Sequence, residues 1–365
     1  MTTKSENKKI LFVTGGTGGH IFPALSIYSF LKKSSLEIFF ATDKRGLNNL
    51  ELSKLNPYII NAKGYAGKSF FSKIIALVIL LRAVIKAIFF LKTKNIKTVL
   101  GFGSYVQVPF VLAALLLKRR VILHEANAVL GRANKLFWKY VSIRTSAYRL
   151  EKQYKNTINV GMPVRNKILK LHKNNKYRVF VNNKINLLII GGSLGSASLS
   201  YDLSKSIVKL PLKIRKKLYV THQVLIEDLV LVKDIYKRAN IKCKVYTFIK
   251  NINSNLEKAS LVISRAGASA IAENAIAGIP AIYFPIPNSV QNHQYLNALK
   301  FKKEKAAWIL NDEDIKNGNI LIFLKKIFNN IEILKLFAEN NSNLAKPKAT
   351  AQLSKLIMDL TNASF

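Results

Sequence analysis

The sequence predicts an α/β protein made of two similar domains, each a parallel β-sheet with helices on both faces. Three observations carry this prediction. The chain has 365 residues, more than a single hydrophobic core usually serves. A short apolar run ends in small residues at positions 15–19, and the same order of buried strand and glycine loop returns at positions 191–195. We therefore predict two Rossmann-like, doubly wound domains that face one cleft.

Composition places the chain among folded globular proteins. Hydrophobic residues make up 49% of it and aromatic residues 10%, which excludes wholesale disorder. Cys243 is the only cysteine, so a disulfide framework is excluded and a reducing compartment is expected. The apolar run at positions 10–13 is too short for the core of a secretory signal, and we expect the protein to stay in the cytoplasm.

The charge is unusually positive, with 58 Lys and Arg against 19 Asp and Glu and a formal net charge of +39. A surface of this sign attracts nucleic acid and anionic membranes alike. Lysine is spread along the whole chain instead of being gathered in a tail. The charge therefore permits both partners and selects neither.

The first glycine loop indicates a site for an anion or a diphosphate. Glycines let backbone N–H groups approach a ligand, and the following helix directs its N-terminus at it. A nicotinamide-binding loop requires three spaced glycines and an acidic residue about 20 positions later. Asp43 could be that residue, but the third glycine is absent and His20 stands near its place, so dinucleotide binding is disfavoured. Tight packing of strand on helix remains the alternative explanation of the glycines.

Residues 69–91 form a strongly apolar segment of nearly membrane-spanning length. Lys73, Arg82 and Lys86 interrupt it, and a basic residue near the bilayer centre costs about 2.5 kcal/mol or more. Apolar bulk with basic margins is typical of a helix that lies on an anionic membrane surface, which is our prediction. The alternative is an ordinary crossover helix on the sheet.

Two further strands of the first domain end in polar or small residues. Residues 97–105 run from a strand into Gly101 and Gly103, and the strand at 120–123 is followed by His124, Glu125, Ala126 and Asn127. Open α/β sheets bind ligands at the carboxyl edge of their strands. A turn with a helix cap is the alternative for this polar cluster.

The second domain is predicted to follow a turn at positions 161–165 and to begin its sheet at Ile185. Strands are predicted at 217–220, 244–248, 261–263 and 279–285. The small residues at 264–272 open a helix against which a ligand can lie, and Glu273 could accept hydrogen bonds from ribose hydroxyls. The amides of 291–294 begin the next helix and could bind a sugar. Residues 312–314 resemble an acidic metal motif but fit a helix N-terminus better.

Together these motifs resemble one family, MurG, the peptidoglycan N-acetylglucosaminyltransferases that convert lipid I to lipid II. The resemblance spans about residues 15–297 and rests on the segments 15–20, 101–105, 124–127, 163–165, 191–193, 264–268 with Glu273, and 293–294. It implies a GT-B type glycosyltransferase with two Rossmann-like domains. Residues 1–164 would be the acceptor-binding, membrane-associating domain and 165–345 the UDP-sugar-binding domain, with a C-terminal helix at about 346–365 packed back on the first.

The resemblance also implies substrates and their ligands. The donor is UDP-N-acetylglucosamine, the acceptor is lipid I, and the protein works peripherally at the cytoplasmic face of the plasma membrane, on an anionic surface, with no nucleic acid, cofactor or metal. The implied substrate-binding residues are Thr17, Gly18, Gly19 and Asn127 for the donor sugar, Arg165 near the nucleotide, Ser193 for the diphosphate, the Ile249 backbone for uracil, the helix start Ala268, Ser269, Ala270, Ile271 and Ala272, Glu273 for ribose, and Gln294 for sugar hydroxyls.

Four positions depart from the family pattern. Ala126, Met162, Leu194 and Gln291 stand where glutamine, asparagine, glutamine and aspartate are usual. None of these changes removes a charge that the chemistry requires. The properties that these changes could alter are the contacts with the acceptor and the affinity for the donor.

The implied reaction is displacement of UDP by the muramyl 4-hydroxyl with inversion, and it requires a general base. Histidine suits this role because its side chain titrates near neutral pH. His20 is the first candidate and Glu125 the second, while a helix-capping role is the alternative for His20. Helix N-termini and Arg165 would stabilise the leaving diphosphate. Two rival functions are another two-domain UDP-sugar transferase with a glycolipid or small-molecule acceptor, and a basic membrane- or nucleic-acid-binding protein on the same scaffold.

Overall fold

A computed structural model describes residues 8–60, 70–152, 154–173, 184–192 and 195–362, except for the side chains of 70–74 and 173. The chain divides into two compact units. Unit 1 contains residues 1–165 and 348–365, and unit 2 contains residues 166–347. Two of the residues discussed above, Ser193 and Leu194, lie outside the described residues. The predicted α/β class with two doubly wound domains is confirmed.

Unit 1 contains a seven-stranded sheet with the order β3-β2-β1-β4-β5-β6-β7, in which every pair is parallel. Its strands are β1 (Lys8–Val13), β2 (Leu36–Thr42), β3 (Tyr58–Ile59), β4 (Thr98–Gly101), β5 (Arg120–Glu125), β6 (Ile143–Ser146) and β7 (Thr157–Asn159). The strand order reverses direction between β1 and β4. Ligands of open α/β sheets bind at this switch point.

Helices cover both faces of this sheet: α1 (Gly18–Leu31), α2 (Leu50–Ser53), α3 (Phe70–Thr93), α4 (Gln107–Leu116), α5 (Arg132–Phe137) and the last helix of the chain, α16 (Ala349–Asn362). Strand β1 has apolar side chains on both faces of the sheet, and both faces must therefore be buried by helices. Leu11 and Val13 join the core beneath α3 and α4, whereas Ile10 and Phe12 join the core beneath α1 and α16. Alternate residues of a strand point to opposite faces, so a strand buried on both sides is apolar throughout.

Helix α16 packs against α1 within unit 1. Leu353 and Ile357 are fully buried there. The guanidinium of Arg120 donates to the carbonyl of Leu360, and Lys8 Nζ donates to Asn362 Oδ1 over 2.9 Å. The end of the chain therefore completes one face of the first sheet.

Unit 2 contains a six-stranded parallel sheet with the order β10-β9-β8-β11-β12-β13. Its strands are β8 (Ile185–Ile190), β9 (Leu218–Gln223), β10 (Lys242–Tyr246), β11 (Leu261–Ser264), β12 (Ala281–Tyr283) and β13 (Ala307–Ile309). Here the order reverses between β8 and β11. The second glycine loop follows β8 directly.

The helices of unit 2 are α6 (Asn166–Lys173), α7 (Leu203–Ile207), α8 (Leu212–Arg215), α9 (Leu229–Arg238), α10 (Ile252–Lys258), α11 (Ala268–Ala277), α12 (His293–Lys303), α13 (Asp312–Lys316), α14 (Asn319–Phe328) and α15 (Ile331–Asn343). The acidic run opens α13, where Asn311 and Asp314 form a capping box, as expected of a helix N-terminus. The expectation that residue 291 begins a helix is wrong by two residues. Gln291 and Asn292 have φ of 55° and 52°, and α12 starts at His293.

Helix α3 has one buried and one exposed face. Ala83, Ala87 and Leu91 are buried against the sheet, as a crossover helix requires. The opposite face is apolar and open, with Ile85 66% and Phe89 73% exposed. Among the residues that the structure describes, no helix combines the length and the apolar character needed to cross a membrane.

Candidate active site

In unit 1 the switch point brings together the first glycine loop, residues 14–19, and the loop after β4, residues 102–106. The two loops pack closely, because a Cβ on Gly15 would lie 2.5 Å from Val106 Cγ2 and 3.0 Å from Ser104 Oγ. No side chain larger than hydrogen fits at Gly15. The glycine therefore serves packing between two loops, which differs from the packing of strand on helix that the sequence offered as the alternative.

Asp43, at the end of β2, fixes the conformation of the first glycine loop. Gly16 has φ of +68°, which glycine adopts without strain, and its N–H donates to Asp43 Oδ1 over 3.2 Å. The other carboxylate oxygen accepts two hydrogen bonds from Arg45, at 2.9 and 2.7 Å. The acidic residue that a nicotinamide site would aim at a ribose thus holds the glycine loop instead.

His20 lies in the first turn of α1 and is oriented by the loop after β4. Its Nδ1 is 2.7 Å from the carbonyl oxygen of Phe102. A carbonyl can only accept, so Nδ1 carries the proton and the lone pair of the neutral ring is on Nε2. The ring lies against Gly103, whose φ is +94° and whose Cβ, if present, would be 2.9 Å from His20 Cε1. This geometry presents Nε2 as a proton acceptor.

The carboxylate of Glu125, at the end of β5, accepts four hydrogen bonds. Oε1 accepts from the backbone N–H of Asn127 at 2.9 Å and from its Nδ2 at 3.2 Å. Oε2 accepts from Gly131 N and from Asn134 Nδ2, both at 2.8 Å. The residue is 2% exposed. A buried carboxylate with four donors holds the loop that carries Asn127, and this arrangement favours His20 over Glu125 as the base.

His124 is buried beside these groups. Burial, and to a smaller extent the nearby His20, lowers the pKa of His124 to about 3. Its Nδ1 is 3.1 Å from Thr145 Oγ1. The ring therefore stays neutral at physiological pH and adds no charge next to His20.

The other predicted residues of unit 1 are distributed around these loops. Thr17 is exposed at the N-cap of α1, where its side chain caps no backbone N–H, and Gly18 and Gly19 begin the helix. The guanidinium carbon of Arg165 lies 4.4 Å from the centre of the Phe22 ring. Of the positions that depart from the family pattern, Ala126 and Met162 are buried.

In unit 2 the switch point joins the second glycine loop to the residues after β11. The guanidinium of Arg265 donates to Ser196 Oγ at 2.7 Å and Ser198 Oγ at 2.9 Å, just beyond that loop. It also donates to the carbonyl of Phe284 at 3.2 Å. One side chain thus ties the second glycine loop to the end of β12. The predicted diphosphate ligand Ser193 lies outside the described residues.

The predicted ribose residue Glu273 and the predicted substrate-binding residues of the helix start share one helix of unit 2. Helix α11 begins at Ala268, and its N-cap Gly267 has no side chain with which to cap the first turn. Its first six residues are the predicted Ala268, Ser269, Ala270, Ile271, Ala272 and Glu273. Glu273 is 8% exposed and is therefore largely buried within unit 2.

Two more predicted residues are nearly buried. Ile249 follows β10 and is 8% exposed, and Gln294, in α12, is 9% exposed. Gln294 Oε1 accepts a hydrogen bond from the backbone N–H of Ile286 at 3.0 Å. Gln294 therefore anchors the loop after β12, whatever else its amide contacts.

The sequence did not reveal several residues that build the site: Asp43 in this role, Gln107, Asn134, Arg265 and Asp312. One signal was present for Gln107, a single uncharged polar residue in the otherwise apolar α4 sequence QVPFVLAALL. Within the described ranges, no group of three or more His, Cys, Asp or Glu side chains could hold a metal ion.

The chain is similar to known proteins in both sequence and fold. The chain matches the glycosyltransferase family 28 N-terminal domain over residues 10–144 and the family 28 C-terminal domain over residues 186–356. Two relatives are named UDP-N-acetylglucosamine–N-acetylmuramyl-(pentapeptide) pyrophosphoryl-undecaprenol N-acetylglucosamine transferase. The one from Gluconobacter oxydans is 33% identical over 363 residues, 96% of this chain and 98% of the relative. The one from Rickettsia bellii is 33% identical over 373 residues, 97% and 99% of the two chains. The crystal structure of Acinetobacter baumannii MurG matches with a TM-score of 0.80 and 29% identity, over 96% of this chain and 99% of that one.

Proposed function

Because the chain belongs to glycosyltransferase family 28, and within it to the undecaprenol-linked N-acetylglucosamine transferases, we propose that it transfers N-acetylglucosamine from UDP-N-acetylglucosamine to lipid I. The 4-hydroxyl of the muramyl sugar attacks the anomeric carbon of the donor. The bond from that carbon to the diphosphate breaks, UDP leaves with the bonding electrons, and the configuration inverts. The product is lipid II.

The observation that carries the proposal is the orientation of His20. Its protonated Nδ1 is held by the Phe102 carbonyl, so Nε2 is the atom that takes the proton of the attacking hydroxyl. A positioned general base of this kind contributes about a hundredfold to ten-thousandfold in rate. Glu125, with its four hydrogen bonds, positions Asn127 in this proposal and transfers no proton.

We assign the donor to unit 2. The N-cap of α11 is Gly267, where no side chain blocks the approach of a ligand, and a helix N-terminus stabilises a diphosphate. Glu273, near the middle of the same helix, accepts hydrogen bonds from the ribose hydroxyls. The roles of Ser193 with the diphosphate, Ile249 with uracil and Gln294 with the sugar stay predictions, as do contacts of Thr17, Gly18, Gly19, Asn127 and Arg165 with the donor.

We assign the acceptor and the membrane contact to unit 1. The exposed apolar face of α3 carries Leu81, Ile85 and Phe89, with Arg82 and Lys86 between them. Such a face inserts among lipid headgroups while its cations attract anionic lipid. In this proposal the protein binds peripherally at the cytoplasmic face of the membrane, where a polyprenyl-linked acceptor is presented.

The test is transfer of labelled sugar from UDP-N-acetylglucosamine to a lipid I analogue, followed as formation of a labelled disaccharide lipid. We expect transfer to lipid I to exceed transfer to other glycolipids or small-molecule acceptors. Preference for another acceptor would support the rival transferase. Absence of UDP-sugar binding, together with salt-sensitive binding to nucleic acid, would replace the proposal with the non-enzymatic alternative.

A further inference from the structure

A chain of buried hydrogen bonds joins the loop that orients His20 to the loop that carries Asn127. The backbone N–H of Gly103 donates to Gln107 Oε1 at 2.8 Å. Gln107 Nε2 donates to Asn134 Oδ1 at 2.6 Å, and Asn134 Nδ2 donates to Glu125 Oε2 at 2.8 Å. Glu125 Oε1 then accepts from the backbone N–H and from the side-chain Nδ2 of Asn127. All of these residues belong to unit 1.

From Gly103 to Glu125 the hydrogen bonds run in one direction. Gln107 and Asn134 each accept from the side of Gly103 and donate toward the carboxylate of Glu125, to which Asn127 donates from the other side. Hydrogen bonds aligned in this way polarise and strengthen one another. Gln107 is 0% exposed, Asn134 2% and Glu125 2%, so a broken bond would leave a buried polar group without its partner. The geometry is therefore strongly held.

Two glycines leave room for the chain of hydrogen bonds, one near each of its ends. A Cβ on Gly101 would collide with Gln107 Oε1, and a Cβ on Gly131 would lie 3.3 Å from Glu125 Oε2. The loop whose Gly103 N–H donates to the Gln107 amide oxygen also supplies the Phe102 carbonyl and the glycine surface against which the His20 ring lies. Displacing Gln107 must displace this support.

We propose that Gln107 and Asn134 are positioning residues that fix His20 Nε2 for the acceptor hydroxyl, and that they couple this base to the loop of Asn127. The proposal rests on the proposed function for its catalytic part. It assigns a task to two buried amides that touch no substrate. A displacement of about 1 Å at a reacting group can cost a hundredfold in rate.

The catalytic part is tested by a double-mutant cycle with Gln107→Met, which keeps the volume and removes the hydrogen bonds. We expect Gln107→Met to lower kcat by about tenfold to a hundredfold and His20→Ala to lower it by about a hundredfold or more, with the donor KM unchanged in both. The double variant should be no slower than His20→Ala, within about twofold, because Gln107 acts through His20. Multiplying effects would overturn the proposal.

The structural part is tested without the reaction, from the ¹⁵N chemical shifts of the His20 ring. The wild-type protein should show protonated Nδ1 and unprotonated Nε2. Gln107→Met should move both resonances toward the average of the two tautomers, and unchanged resonances would refute the coupling. If the wild-type protein transfers no sugar, the proposed function fails, but this measurement still decides whether the amides orient His20.

Two further variants guard against a merely structural effect. Asn134→Leu breaks the chain at its next link and should reproduce the kcat loss and the shift change if Gln107→Met does not fold. Asn341→Leu removes an equally buried amide, 0% exposed, that donates to the Ile279 carbonyl in unit 2. It should lower thermal stability and leave kcat and the His20 resonances unchanged. An equal loss of kcat in Asn341→Leu would assign the effect to stability alone.

Discussion

Arg265 and Asp312 form a two-pronged ion pair inside unit 2, with Nη1 2.8 Å from Oδ1 and Nη2 3.0 Å from Oδ2. The two side chains are 11% and 20% exposed. The pair connects the residue after β11 with the first residue of α13. Since Arg265 also holds Ser196 and Ser198, the pair fixes the segment that follows the second glycine loop.

Asp312→Asn should destabilise unit 2 and weaken donor binding. Removing one partner of a buried ion pair costs about 3 kcal/mol or more, and the freed guanidinium no longer holds Ser196 in place. Thermal unfolding and the donor KM measure the two effects. The matched control is Glu313→Gln, the next residue of α13, whose pair with Lys316 is exposed at 71% and 61% and is worth about 0.5 kcal/mol or less. Equal effects of the two variants would show that the buried pair has no special role.

Glu273→Ala should raise the donor KM by about tenfold or more and lower kcat much less, because it removes hydrogen bonds made to a charged group in the bound state. Steady-state kinetics with varied UDP-N-acetylglucosamine gives both constants. Glu304→Ala, an exposed carboxylate of unit 2, makes the same change of net charge and should alter neither. An unchanged KM in Glu273→Ala would refute the ribose assignment.

The stability of unit 2 should fall as the pH falls below about 6.5, partly because of His222. Its Nε2 is 2.6 Å from the Leu199 carbonyl and its Nδ1 is 2.9 Å from Tyr236 Oη. Burial lowers the pKa of His222 to about 4. The unfolded chain takes up a proton below about pH 6.5 that the folded chain refuses. The neutral His222 side chain therefore contributes on the order of 3 kcal/mol to the free energy of unfolding. This contribution is complete above about pH 6.5 and is lost toward pH 4.

Urea unfolding at several pH values between 7.5 and 4 measures this loss. His222→Gln should be less stable at pH 7.5, because it loses buried hydrogen bonds, but its stability should decline less steeply below pH 6.5. If His222→Gln keeps the wild-type slope, other groups cause the acid sensitivity.

Replacing Ile85 and Phe89 by serine should weaken binding to vesicles that contain anionic lipid by about tenfold or more, since each large apolar side chain contributes about 1.5 kcal/mol or more when buried. Cosedimentation with vesicles measures the binding. Ile226→Ser in unit 2 removes an apolar side chain that is 78% exposed and should have no effect. Equal losses would indicate nonspecific hydrophobic adsorption and not a dedicated face on α3.

The sequence predicted the parts of the fold that local patterns encode. Apolar runs followed by glycines marked β1 and β8, and helical spacing marked the segments between strands. The presence of a buried and an exposed apolar face on α3 followed from its composition, because a helix with apolar residues on all sides must expose some of them. The start of α12 was misplaced, since the left-handed conformation of Gln291 and Asn292 has no glycine to announce it.

The supporting residues of the site could not be predicted in the same way. Gln107 and Asn134 are 27 positions apart, and only the parallel sheet brings their amides together. In the sequence Asp43 suggested the ribose-binding acid of a nicotinamide site. Its contact with Gly16 instead depends on the ends of β1 and β2 lying side by side. Hydrogen bonds across strands are a property of the assembled sheet, so a single sequence does not display them.

The return of the chain to unit 1 at α16 has a consequence for synthesis on the ribosome. Unit 2 is one continuous stretch and can finish folding as soon as residue 347 has emerged. Unit 1 begins first but lacks α16 until residues Ala349–Asn362 have emerged, so the surface that receives Leu353 and Ile357 stays uncovered until then. The unit whose synthesis starts first therefore completes its fold last. A nascent chain that stalls before α16 leaves an apolar face of the first sheet exposed, to which chaperones can bind.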